Sequence, residues 1–153
     1  MKISMHTRTA LVAAALSLSL GSAQARDEPM WEPERISVQG QAAVNERSLR
    51  VAIIKAGARR NWTVEGEAPG EVLLKQNKAN KHIAIVKVRY DSGSYQLSYV
   101  SSHNLNEGKW SGRGYSRNEP VDPAQRRIHP TYNMWLRNLS ADIASEVSLL
   151  ALN

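Results

Sequence analysis

Val86-Lys87-Val88-Arg89-Tyr90-Asp91-Ser92-Gly93-Ser94-Tyr95-Gln96-Leu97-Ser98-Tyr99 is the stretch that decides the fold. Its side chains alternate on either side of a turn built from Asp91, Ser92, Gly93 and Ser94, residue types that favour tight reversal. If Tyr90 faces Tyr95, then Val88 faces Leu97 and Val86 faces Tyr99, which makes one apolar row. The other face then sets Arg89 against Gln96 and Lys87 against Ser98. A slip of one residue would mix the two faces, so the pattern specifies an antiparallel hairpin with one buried side.

Working outward, residues 61–67 and 71–76 are predicted as two more strands joined by the turn Ala68-Pro69-Gly70. The first places Trp62 and Val64 on one side, and Thr63, Glu65 and Glu67 on the other. A polar connection at 77–81 leads into the strand 82–90 of the hairpin, whose return strand covers 95–102. Upstream, residues 45–59 read as a helix. Asn45 can cap it, and Leu49, Ala52, Ile53 and Ala56 recur on one face. The other face carries Arg47, Arg50, Lys55, Arg59 and Arg60, of which the last three complement the helix dipole.

A second helix is predicted over 130–150. Tyr132, Trp135, Leu136, Leu139, Ile143, Val147 and Leu150 keep helical spacing, Pro130 suits the first turn, and Asp142 and Glu146 fall on the wet side. Residues 26–44 form an extended lead-in, since Pro29 and Pro33 block helix and 35–39 alternates weakly. Residues 103–127, rich in Gly, Ser, Asn and Arg, read as a long loop. The expected fold is α+β: an N-terminal helix, an antiparallel meander of about four strands and a C-terminal helix, with both helices packed on one sheet face. Residues 45–153 make a single domain, with no internal repeat.

Residues 1–25 read as a cleavable export signal. Lys2 and Arg8 precede an apolar run over 10–20, and Ala23 and Ala25 have the spacing of a peptidase site. The run is too short and too interrupted by Ser17, Ser19 and Gly21 to span a bilayer comfortably. Removing 25 of the 153 residues leaves 128, a size for one modest core. The 20 basic and 14 acidic residues then become 18 and 14, a net charge of +4. That is well short of the loading of a dedicated nucleic-acid binder, and no nucleic acid is expected. With no cysteine, disulfides, thiolate metal sites and an N-terminal lipid anchor are excluded. The expected location is the periplasm, without a lipid anchor and without a transmembrane segment after signal removal.

Tyr95-Gln96-Leu97-Ser98-Tyr99-Val100-Ser101-Ser102-His103-Asn104-Leu105-Asn106, followed by Ile128-His129-Pro130-Thr131-Tyr132-Asn133-Met134-Trp135-Leu136-Arg137-Asn138-Leu139, resembles a family of small exported proteins and lipoproteins of Gram-negative bacteria. In that family a Tyr-x-x-x-Tyr strand ending near Ser-x-Asn-Leu precedes Ile-His-x-x-Tyr-Asn-x-Trp-x-x-Asn-Leu. Ala56-Gly57-x-x-Arg60-x-Trp62 and Pro69-Gly70 fit as well, so the resemblance covers most of residues 45–145. It implies export and brings no activity or ligand with it. This chain lacks the lipid-bearing cysteine of many relatives, and its segment 107–127 is longer than the family's short link.

Two clusters are candidate binding sites. In the segment 107–127, Lys109, Trp110, Arg113, Tyr115 and Arg117 interleave cations with aromatics, and Arg126 and Arg127 follow. Such groups can hold phosphate or sugar acids while the rings stack. At the junction of the hairpin and the last helix, Tyr95, Tyr99, Asn104, His129, Tyr132 and Asn133 could converge on a small polar pocket. The same groups could instead tie loop ends and satisfy buried backbone. Glu65 and Glu67, predicted to point the same way roughly 6–7 Å apart, have the spacing of paired carboxylates. They equally suit the wet face of a strand. His82, His103 and His129 lack metal-ligand spacing, so no metal or cofactor is expected. No nucleophile elbow is present and no catalytic residue is assigned.

The sequence therefore points to a non-catalytic periplasmic binding domain. Its partner would be an anionic envelope polymer, a lipid headgroup or an envelope protein, met through the segment 107–127 and the basic helix face. The alternative is a small envelope hydrolase using His129.

Overall fold

The computed structural model describes residues 27–38, 44–109, 124–150 and 152. In chain order its elements are β1 (Glu28–Pro29), β2 (Ile36–Ser37), α1 (Glu46–Arg59), β3 (Trp62–Ala68), β4 (Glu71–Lys78), β5 (His82–Tyr90), β6 (Ser94–His103), β7 (Gly108–Lys109), β8 (Arg126–Ile128) and α2 (Pro130–Leu150). The export signal at 1–25 lies outside the described residues.

The deciding hairpin has the register its side chains require. Tyr90 pairs with Tyr95, Val88 with Leu97 and Val86 with Tyr99, while Arg89 meets Gln96 and Lys87 meets Ser98. Beyond Val86 the register shifts, so that Ile85 pairs with Ser101 and Val100 has no opposite number. The meander β3–β4–β5–β6 is antiparallel throughout, and β2 adds a fifth strand outside β6. A second, three-stranded sheet has the order β1-β8-β7. Its pairings of two residues each are too short to leave a sequence signal.

One apolar core joins Val72, Leu74, Ala84, Val86, Val88 and Leu97 of the sheet to Leu49, Ile53 and Ala56 of α1 and Leu136, Leu139 and Ile143 of α2. Alternation and helical spacing thus put the expected faces inward. Asn45 caps α1 with a reciprocal capping box: its side chain accepts the Ser48 N–H, and Ser48 Oγ accepts the Asn45 N–H. Gly70 carries a positive φ of 70°, and a Cβ there would stand 3.0 Å from the Tyr90 carbonyl oxygen. The turn into β4 therefore needs glycine. No described helix is long and apolar enough to cross a membrane.

Four expectations change. The segment 103–127 is not one loop, because β6 runs through His103, β7 occupies 108–109, and Arg126 and Arg127 are strand residues. In β3 a bulge at Glu65 resets the alternation. Glu65 pairs with Lys75, whereas Glu67 reaches Arg50 of α1, so the two carboxylates do not face the same way. Edge position leaves Val64 exposed at 41%. Finally, Glu146 is buried and paired with Arg59, and Asp142 takes Arg60 at 2.6 Å. Both acids are links to the end of α1 rather than a wet face.

Candidate functional site

The lead-in forms a strap across α2, and Asn133 holds it. Its Oδ1 accepts the Trp31 backbone N–H at 2.8 Å, and its Nδ2 donates to the Pro29 carbonyl at 2.7 Å and to Glu28 Oε1 at 2.6 Å. The side-chain amide uses both its donor and acceptor sides on the strap, and the residue is only 2% exposed. Arg127, a candidate cation, is likewise buried and donates to the Asp27 carbonyl at 2.6 Å. Met30, Pro33 and Val38 of the strap are buried too.

Arg126 is exposed but occupied. Its guanidinium donates to Glu107 at 2.8 Å, approaches Glu32 at 3.8 Å and lies 4.5 Å from the centre of the Tyr99 ring. The side-chain hydrogen bond to Glu107 is the largest cause holding its pKa above the usual arginine value. Tyr99 meets Tyr132 edge-on at 5.7 Å and pairs its hydroxyl with Ser102 Oγ at 3.1 Å. Tyr132 and Tyr95 are fully buried, and neither hydroxyl has a hydrogen-bond partner. Burial pushes the Tyr95 phenol up to about 12 and the Tyr132 phenol upward as well. These tyrosines are core residues; two of the three present no hydroxyl to solvent.

His129 stands just before α2 and caps it. Its Nδ1 accepts the Thr131 N–H at 3.1 Å, and its own backbone N–H donates to the Leu105 carbonyl at 2.8 Å. The imidazole lone pair on Nδ1 is therefore spent, which leaves the hydrolase alternative without its base at that nitrogen. His82, weighed in the sequence only as a metal ligand, stacks on His129 with ring centres 6.3 Å apart. Its Nδ1 lies 2.8 Å from the Asn104 carbonyl, so the proton sits on that nitrogen. Asn104 contributes backbone here, at a positive φ of 56°. The junction thus brings together Tyr99, Asn104, His129, Tyr132 and Asn133, and uses them to fasten the strap, the strand end and the helix start. Tyr95, at the far end of β6, is not part of it.

What the junction leaves open is a groove of about 360 Å³ between the strap and α2. Glu28, Pro130, Asn133, Met134, Arg137 and Asn138 line it. Met134 is 53% exposed. Arg137 stacks its guanidinium 4.7 Å from the centre of the Trp31 ring and has no carboxylate within ion-pair distance among the described residues. Arg35, Arg50, Arg59, Arg60, Lys75, Lys87, Arg89 and Arg126 all have one. No local sequence signal pairs Arg137 with Trp31.

Of the other cluster, Trp110, Arg113, Tyr115 and Arg117 lie outside the described residues, and of Lys109 only the backbone pairing with Arg126 is described. Among the described residues no group of three or more His, Cys, Asp or Glu side chains could hold a metal ion. Comparison with protein families, with curated proteins and with solved structures finds no match.

Proposed function

We propose that this chain is an exported, non-catalytic binding domain of the bacterial envelope, and that a partner protein docks in the groove between the strap and α2. Both helices cover one sheet face in this reading, and the strap supplies the binding rim. Arg137 is the observation that carries it. A cation held in place by an aromatic ring, with no carboxylate of its own, stands beside an exposed methionine and the Asn138 amide. That set suits a segment offering a carboxylate next to an apolar side chain. Glu28 is already bonded to Asn133, so it sets an acidic limit at one end of the groove.

The test is capture from envelope extracts by immobilised chain, comparing wild type, Arg137→Glu and the pair Arg113→Ala/Arg117→Ala. A protein retained by wild type and by the loop pair, but lost with Arg137→Glu and at high salt, supports docking in the groove. Retention by Arg137→Glu with loss in the loop pair would move the contact to the segment 107–127. Turnover of an envelope substrate abolished by His129→Ala would replace the reading with the hydrolase.

A further inference from the structure

The groove between the strap and α2 differs in charge at its two ends. At one end Glu28 Oε1 accepts from Asn133 Nδ2, and the second oxygen of Glu28 makes no hydrogen bond among the described residues. Arg137 and Asn138 stand one helical turn further along α2, about 6 Å by the axial rise. Arg137 is exposed, lies 4.7 Å from the centre of the Trp31 ring and makes no ion pair among the described residues. The Asn138 side chain is half-buried and likewise makes no hydrogen bond among the described residues. Between the two ends lies Met134, whose side chain is exposed.

We infer that this groove takes the free C-terminal end of a partner protein with an apolar last side chain, which rests on the groove being the docking site. Met134 and Arg137 are three positions apart on α2, so they share a face with Cβ atoms about 5–6 Å apart. The last residue of a chain carries its carboxylate and its side chain on one Cα, and so meets both at once. Along an extended chain neighbouring side chains point to opposite sides. An internal acid therefore turns its apolar neighbour away from Met134. The Arg137 fork can take both carboxylate oxygens, and the Asn138 amide offers a further donor beside it. Glu28 sets the direction. It repels a carboxylate and accepts an N–H, so the chain end lies at Arg137 and the preceding peptide group at Glu28. A volume of about 360 Å³ is at the small end for a ligand site, room for a chain end rather than a helix. Methionine adapts to different shapes, so aliphatic and aromatic last residues should bind alike.

The exported chain would be titrated by amide NMR with N-acetylated pentapeptides ending in leucine, valine or phenylalanine. Each would be compared with its C-terminal amide, with a version ending in lysine, and with an amidated version carrying aspartate two places before an internal leucine. Shifts at Met134, Arg137, Asn138 and the Trp31 indole are expected for the three free acids, with affinities within a few-fold of one another. Amidation of the peptide and Arg137→Gln in the protein should each weaken binding about tenfold, and a terminal lysine severalfold. Arg47→Ala, which removes an exposed arginine of α1, should match wild type. Amides or internal acids that bind as well as the free acids overturn the inference, and so do shifts that Arg137→Gln leaves intact. Arg137-dependent capture from envelope extracts, without a response to any free acid, overturns the chain end and leaves the docking groove standing. Loss of both the capture and the peptide response overturns the two readings together.

Discussion

Asn133 on α2 accepts the backbone N–H of Trp31 at 2.8 Å across 102 positions of sequence. The bond joins the two ends of the domain, and the same side chain also holds Glu28 and Pro29. A short strap has little area to bury, so its attachment depends on these bonds and on Met30, Pro33 and Val38. Asn133, which lines the groove together with Glu28 and Arg137, thus also holds the strap that forms its other wall.

Asn133→Ala should lower stability by about 1–3 kcal/mol, because it leaves the part-buried Trp31 N–H and Pro29 carbonyl without this partner. Hydrogen exchange should speed up at residues 28–31 more than in β4 or β5. Docking in the groove should weaken in parallel. Equal acceleration across the whole chain would mean that the strap does not open on its own.

His129 separates structure from chemistry. As the residue capping α2 it needs only an acceptor, so His129→Asn should fold with nearly wild-type stability, while His129→Ala should lose about 1 kcal/mol. Denaturant midpoints read this directly. A loss in His129→Asn as large as in His129→Ala would show that the stacking on His82, rather than the cap, is what matters.

The parts of this molecule legible in its sequence are those whose cause is local. Tyr90 and Tyr95 meet because a four-residue turn and strict alternation leave no other register, and α2 follows from seven apolar side chains at helical spacing. The bulge at Glu65 was not legible, since nothing in Val64-Glu65-Gly66 marks it beyond a glycine that flat strands also tolerate. Nor was the strap, whose pairings involve two residues each and whose anchors lie about a hundred positions away. Of the six junction candidates, Tyr99, Asn104, His129, Tyr132 and Asn133 stand near one another, whereas Tyr95 lies at the other end of β6. Their role was open because Tyr, His and Asn serve a buried backbone as well as they serve a ligand.

Glu146 is a buried carboxylate on α2 paired with Arg59, whose side chain is partly solvent-exposed. Arg59→Ala should cost about 2 kcal/mol by leaving that charge in the core boundary without its cation. Adding Glu146→Leu should recover most of the loss, as an apolar side chain of similar size needs no partner there. Thermal melts of both variants test this, and an additive double variant would count against a coupled pair.

Tyr95 predicts the alkaline limit of the fold. Its phenol is held near 12 by burial, against an ordinary value of 10.0. Below pH 10 both folded and unfolded chains keep the proton, so stability is fully present. Between 10 and 12 the unfolded chain releases it while the folded chain does not, and stability falls as pH rises through that window. The loss from this residue alone is about 3 kcal/mol by the upper end, and Tyr132, shifted in the same direction by the same burial, adds to it. Guanidinium midpoints measured from pH 8 to 11.5 should show the decline, and Tyr95→Phe should flatten it. At neutral pH the same substitution removes a buried hydroxyl that has no partner, so stability should hold or rise by about 1 kcal/mol. An alkaline slope in Tyr95→Phe equal to that of the wild type would place the titrating group elsewhere.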